Sequence, residues 1–274
     1  MNAFNETSLV QKKSNKAHIG VITVEGVIMD SKDTIEMLQN AEEDKQLQAI
    51  ILRIDSPGGA VGPTQEIYEE IQRIDKKKPI YASFGSIAAS GGYYIGAATR
   101  KIWANPGTLT GSIGVIMEFM DLSKLYEFAK VSPQTVKAGR YKDAGNPARA
   151  LTPEEKDMMD KLIAGVHKQF IGDIMKRRAG KIKGDITELA QGQIFSGESA
   201  MEAGLVDSMG SLWTAGRAIH TDLKIKDEFA LKFIDKKKKM GLFDLVGSLE
   251  ESVSKLNFNS LAEMANTKPR LMFK

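Results

Sequence analysis

Residues 47–54, "LQAIILRI", form an apolar run of strand length in which polar and apolar positions do not alternate. A strand with one face in water alternates; a run that does not alternate suits a parallel strand covered on both faces. The run stops at Asp55-Ser56-Pro57-Gly58-Gly59, a cluster of turn formers, and helical spacing follows over about residues 63–75. A strand, a tight turn and a helix in that order restrict the chain to folds built on a parallel sheet.

The same unit recurs on either side. "AHIGVITVEGVI" (17–28) is rich in β-formers, and "DTIEMLQNAEEDKQ" (33–46) places Ile35, Leu38 and Ala41 at helical spacing. Further on, "KPIYASFG" reads as a strand, 90–99 as a helix, "KIWAN" as a short strand, "GVIMEF" (114–119) as a strand, 121–130 as a helix and "PQTVKAG" (133–139) as a strand. Strands alternating with helices predict an α/β fold with right-handed crossovers, and a strand-strand-helix repeat fits better than strict βαβ alternation. Thr152-Pro153-Glu154-Glu155 combines an N-cap, a first-turn proline and a capping-box glutamate, so a helix starts there. Met159, Leu162, Ile163, Val166, Phe170 and Ile174 give that helix an apolar face to about residue 178, with Gly180 just past its end. After about residue 224 come a strand-like "FALKFI" and an amphipathic "LFDLVGSLEESVSKL", which packs either on its own core or on a neighbouring subunit.

Composition narrows the function classes. With 274 residues and 42% hydrophobic content the chain can bury a large core. Lysine plus arginine (38) nearly balances aspartate plus glutamate (35), and a net charge of +3 argues against a nucleic-acid binder with a broad basic face. The runs Lys76–Lys78 and Lys236–Lys239 read as solvated turns. The absence of cysteine removes disulfides, thiol nucleophiles and cysteine-ligated metals. No stretch approaches the roughly 18 apolar residues of a membrane span. The first seventeen residues are polar rather than a secretory signal. A complete chain would be cytoplasmic; one that had lost an N-terminal anchor would belong at a membrane.

Several common catalytic signatures are missing: there is no Gly-x-Ser-x-Gly elbow, P-loop, dinucleotide glycine fingerprint or His-Glu-x-x-His. The three histidines, His18, His167 and His220, read as structural. Ser252-x-x-Lys255 has the spacing of a known serine-lysine pair but lies in the amphipathic tail without companion motifs. Ser90 stands out, set between Ala88-Ala89 and Gly91-Gly92 where a strand gives way to a helix. Its bland reading is an N-cap; its sharper one is a nucleophile at a helix N-terminus, where backbone amides favour negative charge. Without a histidine base such a serine needs a neutral lysine, and a solvated lysine near pKa 10.4 is neutral in only about one molecule in a thousand at neutral pH. Lys142, in "GRYKDAGNPARALTPEE", is the candidate, although a surface lysine is the ordinary reading. Asp143 would keep it charged if it faced the same way, but adjacent residues in extended chain point to opposite sides.

Five separated motifs, "DSPGG" (55–59), "SIAASGGYY" (86–94), "LTGSIGV" (109–115), "GRYKDAGNPARALTPEE" (139–155) and "GQIFSGESAMEAGLVDSMG" (192–210), occur in an order that resembles the signal peptide peptidase A family. These S49 serine peptidases, also called protease IV, share the Clp protease and crotonase superfold. The resemblance implies a superhelix of strand-strand-helix units over 18–222, with a flexible segment at 1–17 and a C-terminal strand and helix extension at 223–274 that could serve oligomer contacts. It implies Ser90 as nucleophile, Lys142 as general base, Ser112 as the group orienting the lysine, and Gly58 and Gly59 in the oxyanion loop. No metal or organic cofactor is expected. The implied partners are signal peptides or other unfolded apolar peptides, and further copies of the chain in a ring or dome. Membrane association is expected only through a segment this chain lacks. Two alternatives stay open: a non-catalytic scaffold or peptide-binding module of the same superfold, and a crotonase-like acyl-CoA enzyme.

Overall fold

The structure, a computed structural model, describes residues 18–235. In chain order its elements are β1 (Ile19–Glu25), α1 (Lys32–Glu43), β2 (Ala49–Ser56), α2 (Val61–Asp75), β3 (Ile80–Ala89), α3 (Gly91–Ala97), β4 (Ile102–Ala104) and β5 (Leu109–Gly111). Then follow α4 (Ser123–Phe128), α5 (Pro153–Arg178), α6 (Ile186–Leu189), β6 (Ile194–Ser196), α7 (Gly197–Glu202), β7 (Ser208–Met209), α8 (Leu212–Asp222) and β8 (Leu231–Phe233). The strands form one sheet in the order β6-β5-β3-β2-β1-β8, with β4 pairing β3 and β7. Every pairing is parallel except that of β5 with β6. None of the described helices is long and apolar enough to cross a membrane.

The non-alternating run in β2 has its explanation in the two faces of this sheet. Ile50, Leu52 and Ile54 point into a large core shared with α1, α2 and α3, whereas Ala49 and Ile51 point into a second core with Trp103 and the α8 residues Leu212, Ala215 and Ile219. Both sets are fully buried, as period-two geometry requires when each face is covered. The helices supply matching stripes: Thr34, Met37, Leu38 and Ala41 of α1 are buried at spacings of three and four. β3 is long enough to pair β4 through Ala82 and Ser83 and β5 through Ile87 to Ala89. Two strands thus follow α3 before the next helix, which is where the expected doubling of strands is visible.

Two expected strands do not form. Residues 114–119 and 133–139 are extended or irregular chain without a pairing partner, and Ile116 (82%) and Val136 (101%) are exposed. Their β-forming composition had no adjacent sheet edge to complete it, and propensity without pairing does not make a strand. The capping box at Thr152 and Glu155 is present, and α5 runs to Arg178 as expected. Its apolar face is buried only from Phe170 onward; Leu162 is 52% exposed. "FALKFI" contributes β8, which pairs β1. The amphipathic segment 242–256 and Ser252-x-x-Lys255 lie outside the described residues.

The buried end of α5 is fixed by charge. Arg178 is fully buried, pairs with the Asp207 carboxylate at 3.0 Å and donates to the Gly204 carbonyl at 2.8 Å. Asp207 also accepts from the Ile102 amide at 2.8 Å and pairs with Lys181 at 2.9 Å, so one carboxylate joins α5, β4 and the approach to β7. Burial by itself would raise the Asp207 carboxyl; its bond and charge pairing with Arg178, with help from Lys181, hold it below the usual aspartate range. A depressed carboxyl stabilises the fold above its unfolded pKa and loses that contribution as pH falls through the folded value. Arg178→Met is therefore expected to cost about 3–5 kcal/mol, because it strands a buried charge. Urea unfolding should also show a weaker loss of stability on acidification in the variant, and unchanged stability would contradict this account.

Candidate active site

Three strand ends converge. Ser56 of β2 pairs with Ala88 of β3, and Ala89 of β3 pairs with Gly111 of β5, so the residues just beyond each strand meet at the carboxyl edge of the sheet. That edge is the usual ligand-binding side of open α/β sheets. The register of β2 against β3 shifts between Ile54 and Ser56, where the Asp55 carboxylate accepts the Ile87 amide at 3.1 Å. Gly85 is needed beside it: a Cβ there would lie 2.5 Å from the Asp55 carboxylate. The aspartate of the "DSPGG" motif thereby aims the last residues of β3 toward the edge.

Ser90 follows with φ 51° and ψ −118°, a positive φ that a non-glycine residue rarely adopts. Its amide donates to the Gly111 carbonyl at 2.9 Å and its carbonyl accepts the Tyr94 amide at 2.9 Å. It occupies the N-cap position of α3, yet its side chain makes no capping hydrogen bond. The bland reading of this serine as a cap is therefore removed, and the hydroxyl is left for another use. Glycines crowd around it because nothing larger fits. A Cβ on Gly58, whose φ is +109°, would fall 2.8 Å from both the Ser90 Cβ and the Gly91 nitrogen; one on Gly91 would fall 2.8 Å from the Thr64 hydroxyl.

A cavity of about 320 Å³ opens over this turn. Ser90, Gly91, Gly59 and Ser112 line one side of it, and Val61, Ile116, Val166 and Phe170 make it largely apolar. Ser112, also at positive φ (49°), is held by its main-chain amide, which donates a hydrogen bond to the Gln193 carbonyl at 2.8 Å. The two expected oxyanion glycines behave differently. The Gly58 amide donates to the Ser56 hydroxyl at 3.1 Å, while Gly59 lines the cavity. Gly91, which in the sequence stands out only as a small neighbour of Ser90, also lines the cavity and opens α3, and the first amides of a helix have no intrahelical acceptor. Its position directly after a serine at a strand-to-helix turn was the available signal.

The far wall comes from α5. The Tyr94 hydroxyl donates to the Asp173 carboxylate, Tyr68 donates to the Asp173 carbonyl at 2.9 Å, and the Tyr94 and Phe170 rings lie 4.6 Å apart. Burial, then the bond to Asp173, pushes the Tyr94 phenol well above its usual range, so it stays a neutral donor. His18 and His220 are bound to Asp227, His18 at the entry to β1 and thus at the opposite edge of the sheet from the cavity. The Nε2 of His167, next to Val166, is buried without a hydrogen-bond partner among the described residues.

Lys142 is not among the residues lining the cavity. It sits in a tight turn, its amide donating to the Gly139 carbonyl at 3.2 Å, and its side chain is exposed in the single chain. Ser90, Ser112 and Gly59 are thus brought together around one cavity, and Lys142 is carried by a separate surface loop. Among the described residues no group of histidine, aspartate and glutamate could hold a metal ion.

Comparisons with known proteins agree with this architecture. The peptidase family S49 model matches residues 72–226, more than half of the chain, and the Clp protease model matches residues 9–106. A provisionally named protease of Synechocystis sp. is 41% identical over 202 residues, covering 73% of this chain and 72% of that one. A provisionally named signal peptide peptidase SppA of Enterococcus faecium is 33% identical over 246 residues, 85% of this chain and 71% of its own. The chloroplastic serine protease SPPA of Arabidopsis thaliana is 34% identical over 194 residues, 70% of this chain but 28% of that much longer protein. With its mixed sheet of Clp protease type, the chain belongs to peptidase family S49.

Proposed function

We propose that this protein is a serine endopeptidase in which Ser90 is the nucleophile and Lys142 the general base, acting on signal peptides or other unfolded apolar peptides. The observation that carries the reading is the Ser90 turn: a strained, uncapping serine at a helix N-terminus beside an apolar cavity. Strain at a non-glycine residue persists when the surroundings over-determine it, and such residues cluster at active sites. In the proposed reaction the Ser90 Oγ attacks the peptide carbonyl carbon as its proton passes to the Lys142 Nζ. The oxyanion is held by amides of the glycine loop, where Gly59 faces the cavity, and by that of Gly91. Collapse of the tetrahedral species breaks the C–N bond, the lysine returns the proton to the leaving amine, and water activated by the same amine group hydrolyses the acyl-enzyme. Ser112, next to Ser90 across the β3 and β5 register, is suited to orient the lysine. The apolar walls suit apolar side chains; the Enterococcus relative is named a signal peptide peptidase and the Arabidopsis relative a serine protease.

The base must be shielded from water to be neutral, and the single chain leaves it exposed. We infer that a second copy of the chain covers it. Between Ser112 and Lys142 the chain exposes Ile116 (82%), Met120 (73%), Phe128 (87%) and Val136 (101%), an apolar density that a soluble surface does not retain without a partner. A ring or dome of such copies would bring the Lys142 loop to a cavity and bury this segment. Phe128→Asp, at a side chain that carries no core packing, should dissociate the assembly in light scattering and lower peptidase activity with it; an intact, active assembly would oppose the inference.

A fluorophosphonate probe is expected to label the wild type and not Ser90→Ala, and Lys142→Ala should abolish cleavage of casein and of a signal peptide while the assembly persists. Equal labelling of both serine forms would overturn the assignment. Gly58→Ala, which forces a Cβ against the Ser90 turn, is expected to lower kcat by about 100-fold, the scale of one disrupted oxyanion donor; stopped-flow or steady-state assays on a fluorogenic apolar peptide measure it.

A further inference from the structure

The loop that carries Lys142 has little apolar anchorage, and Arg149 makes its densest set of polar contacts. Arg149 extends its guanidinium between two carboxylates: both Nη atoms reach Glu155, at 2.8 and 2.6 Å, and Nε donates to Asp143 at 3.1 Å. Nη2 also donates to the Asp143 main-chain carbonyl at 3.2 Å. Lys137 closes the far side by pairing with Asp143. Glu155 has a second duty, since its carboxylate accepts the Thr152 amide at 2.9 Å in the capping box that starts α5. The carboxylates are well shielded, with side-chain exposures of 4% for Glu155 and 12% for Asp143, so this is a built contact rather than a solvated surface pair.

The geometry has a direction. Glu155 is fixed to the frame of α5, whose other end is locked by Phe170, Ile174 and Arg178 in the core. Asp143 is the residue after Lys142. Arg149 is the rigid fork between them, and turns from Tyr141 to Ala144 and from Asp143 to Asn146 complete the loop. A planar guanidinium with five donors in fixed geometry sets distance and angle together in a way an ammonium does not. The pairing with Arg149 holds the Glu155 carboxyl at about 2 and Asp143 well below the usual carboxylate range, so both partners remain charged across the neutral range. It also answers the concern that Asp143 would hold the neighbouring lysine charged, because that carboxylate is turned to Arg149 and Lys137 instead.

We infer that Arg149 is a positioning residue for peptide hydrolysis, clamping the Lys142 loop to the first turn of α5 so that the amine is presented at a fixed place. The inference rests on reading Lys142 as the base. A displacement of about 1 Å in a reacting group can cost about 100-fold in rate, so releasing the clamp acts on turnover rather than on substrate binding.

The test uses the full chain in its assembled form. Arg149→Met, Arg149→Lys, Asp143→Asn and Lys142→Ala are assayed with a fluorogenic apolar peptide and with the fluorophosphonate probe. Arg149→Met is expected to lower kcat by about 10- to 100-fold with KM within about two-fold, and to slow probe labelling in parallel, while Arg149→Lys recovers part of the loss. A wild-type kcat in Arg149→Met, with Lys142→Ala inactive, overturns the clamp and leaves the lysine reading standing. A fully active Lys142→Ala overturns the lysine reading itself, whatever Arg149 does. A rise in KM with kcat unchanged also overturns the clamp, since it assigns Arg149 to substrate binding. If Arg149→Met does not fold, Asp143→Asn decides the matter: it removes the charge pairing at the loop end of the clamp while leaving Arg149 on Glu155, and an unchanged kcat in that variant overturns the proposal.

Discussion

At Ser90 the chain leaves β3 with a positive φ, a conformation that costs a non-glycine residue about 1–3 kcal/mol. It is held there from three sides. The end of β5 takes its amide, α3 takes its carbonyl, and the Gly58 loop packs against its Cβ with no room for a side chain. Each neighbour is itself the end of a sheet strand or the start of a helix, so the turn inherits the rigidity of the core rather than depending on a mobile loop. Gly58 and the Asp55 carboxylate serve this one junction, whereas Gly59 is required by the Ile28 backbone, whose carbonyl oxygen would lie 2.1 Å from a Cβ there.

Helix α5 links this junction to the rest of the proposed machinery. Its buried end is bound by Arg178 to Asp207, its middle supplies Phe170 and the Asp173 partner of Tyr94 to the cavity wall, and its first turn receives the Arg149 clamp. One rigid rod of 26 residues thus spans the cavity wall and the foot of the Lys142 loop. Between Ser112 and the start of α5 the chain has the opposite character, with no buried residue in α4 and large apolar side chains in water. Such a segment is stable in solution when another surface covers it, which is why we assign its completion to a second copy.

Much of the fold was legible before any coordinates, for reasons tied to particular residues. The unbroken apolar run in β2 required two covered faces and found them in the α1 to α3 layer and in α8. Thr152, Pro153 and Glu155 marked the start of α5 because a capping box is local chemistry. The strands expected at 114–119 and 133–139 failed because β structure is completed by a neighbour, and sequence reports preference without reporting whether a neighbour is present. The apolar stripe of α5 is evident in the spacing of its residues, but the positions before Phe170 are not covered within the described residues.

The sequence by itself determined the parallel α/β class, the strand-to-helix turn at Ser90 and the family, since these depend on local pattern and on motifs that survive in linear order. Tertiary structure alone decided that the Ser90 hydroxyl makes no capping hydrogen bond to α3, because whether a hydroxyl caps a helix depends on the φ and ψ its neighbours impose. It also decided that Gly91 joins Gly59 at the cavity, that Arg149 joins the Lys142 loop to α5, and that Lys142 stands apart from the serine in a single chain. Those are distances between residues far apart along the chain, and composition and spacing carry no information about them until the sheet has set its register.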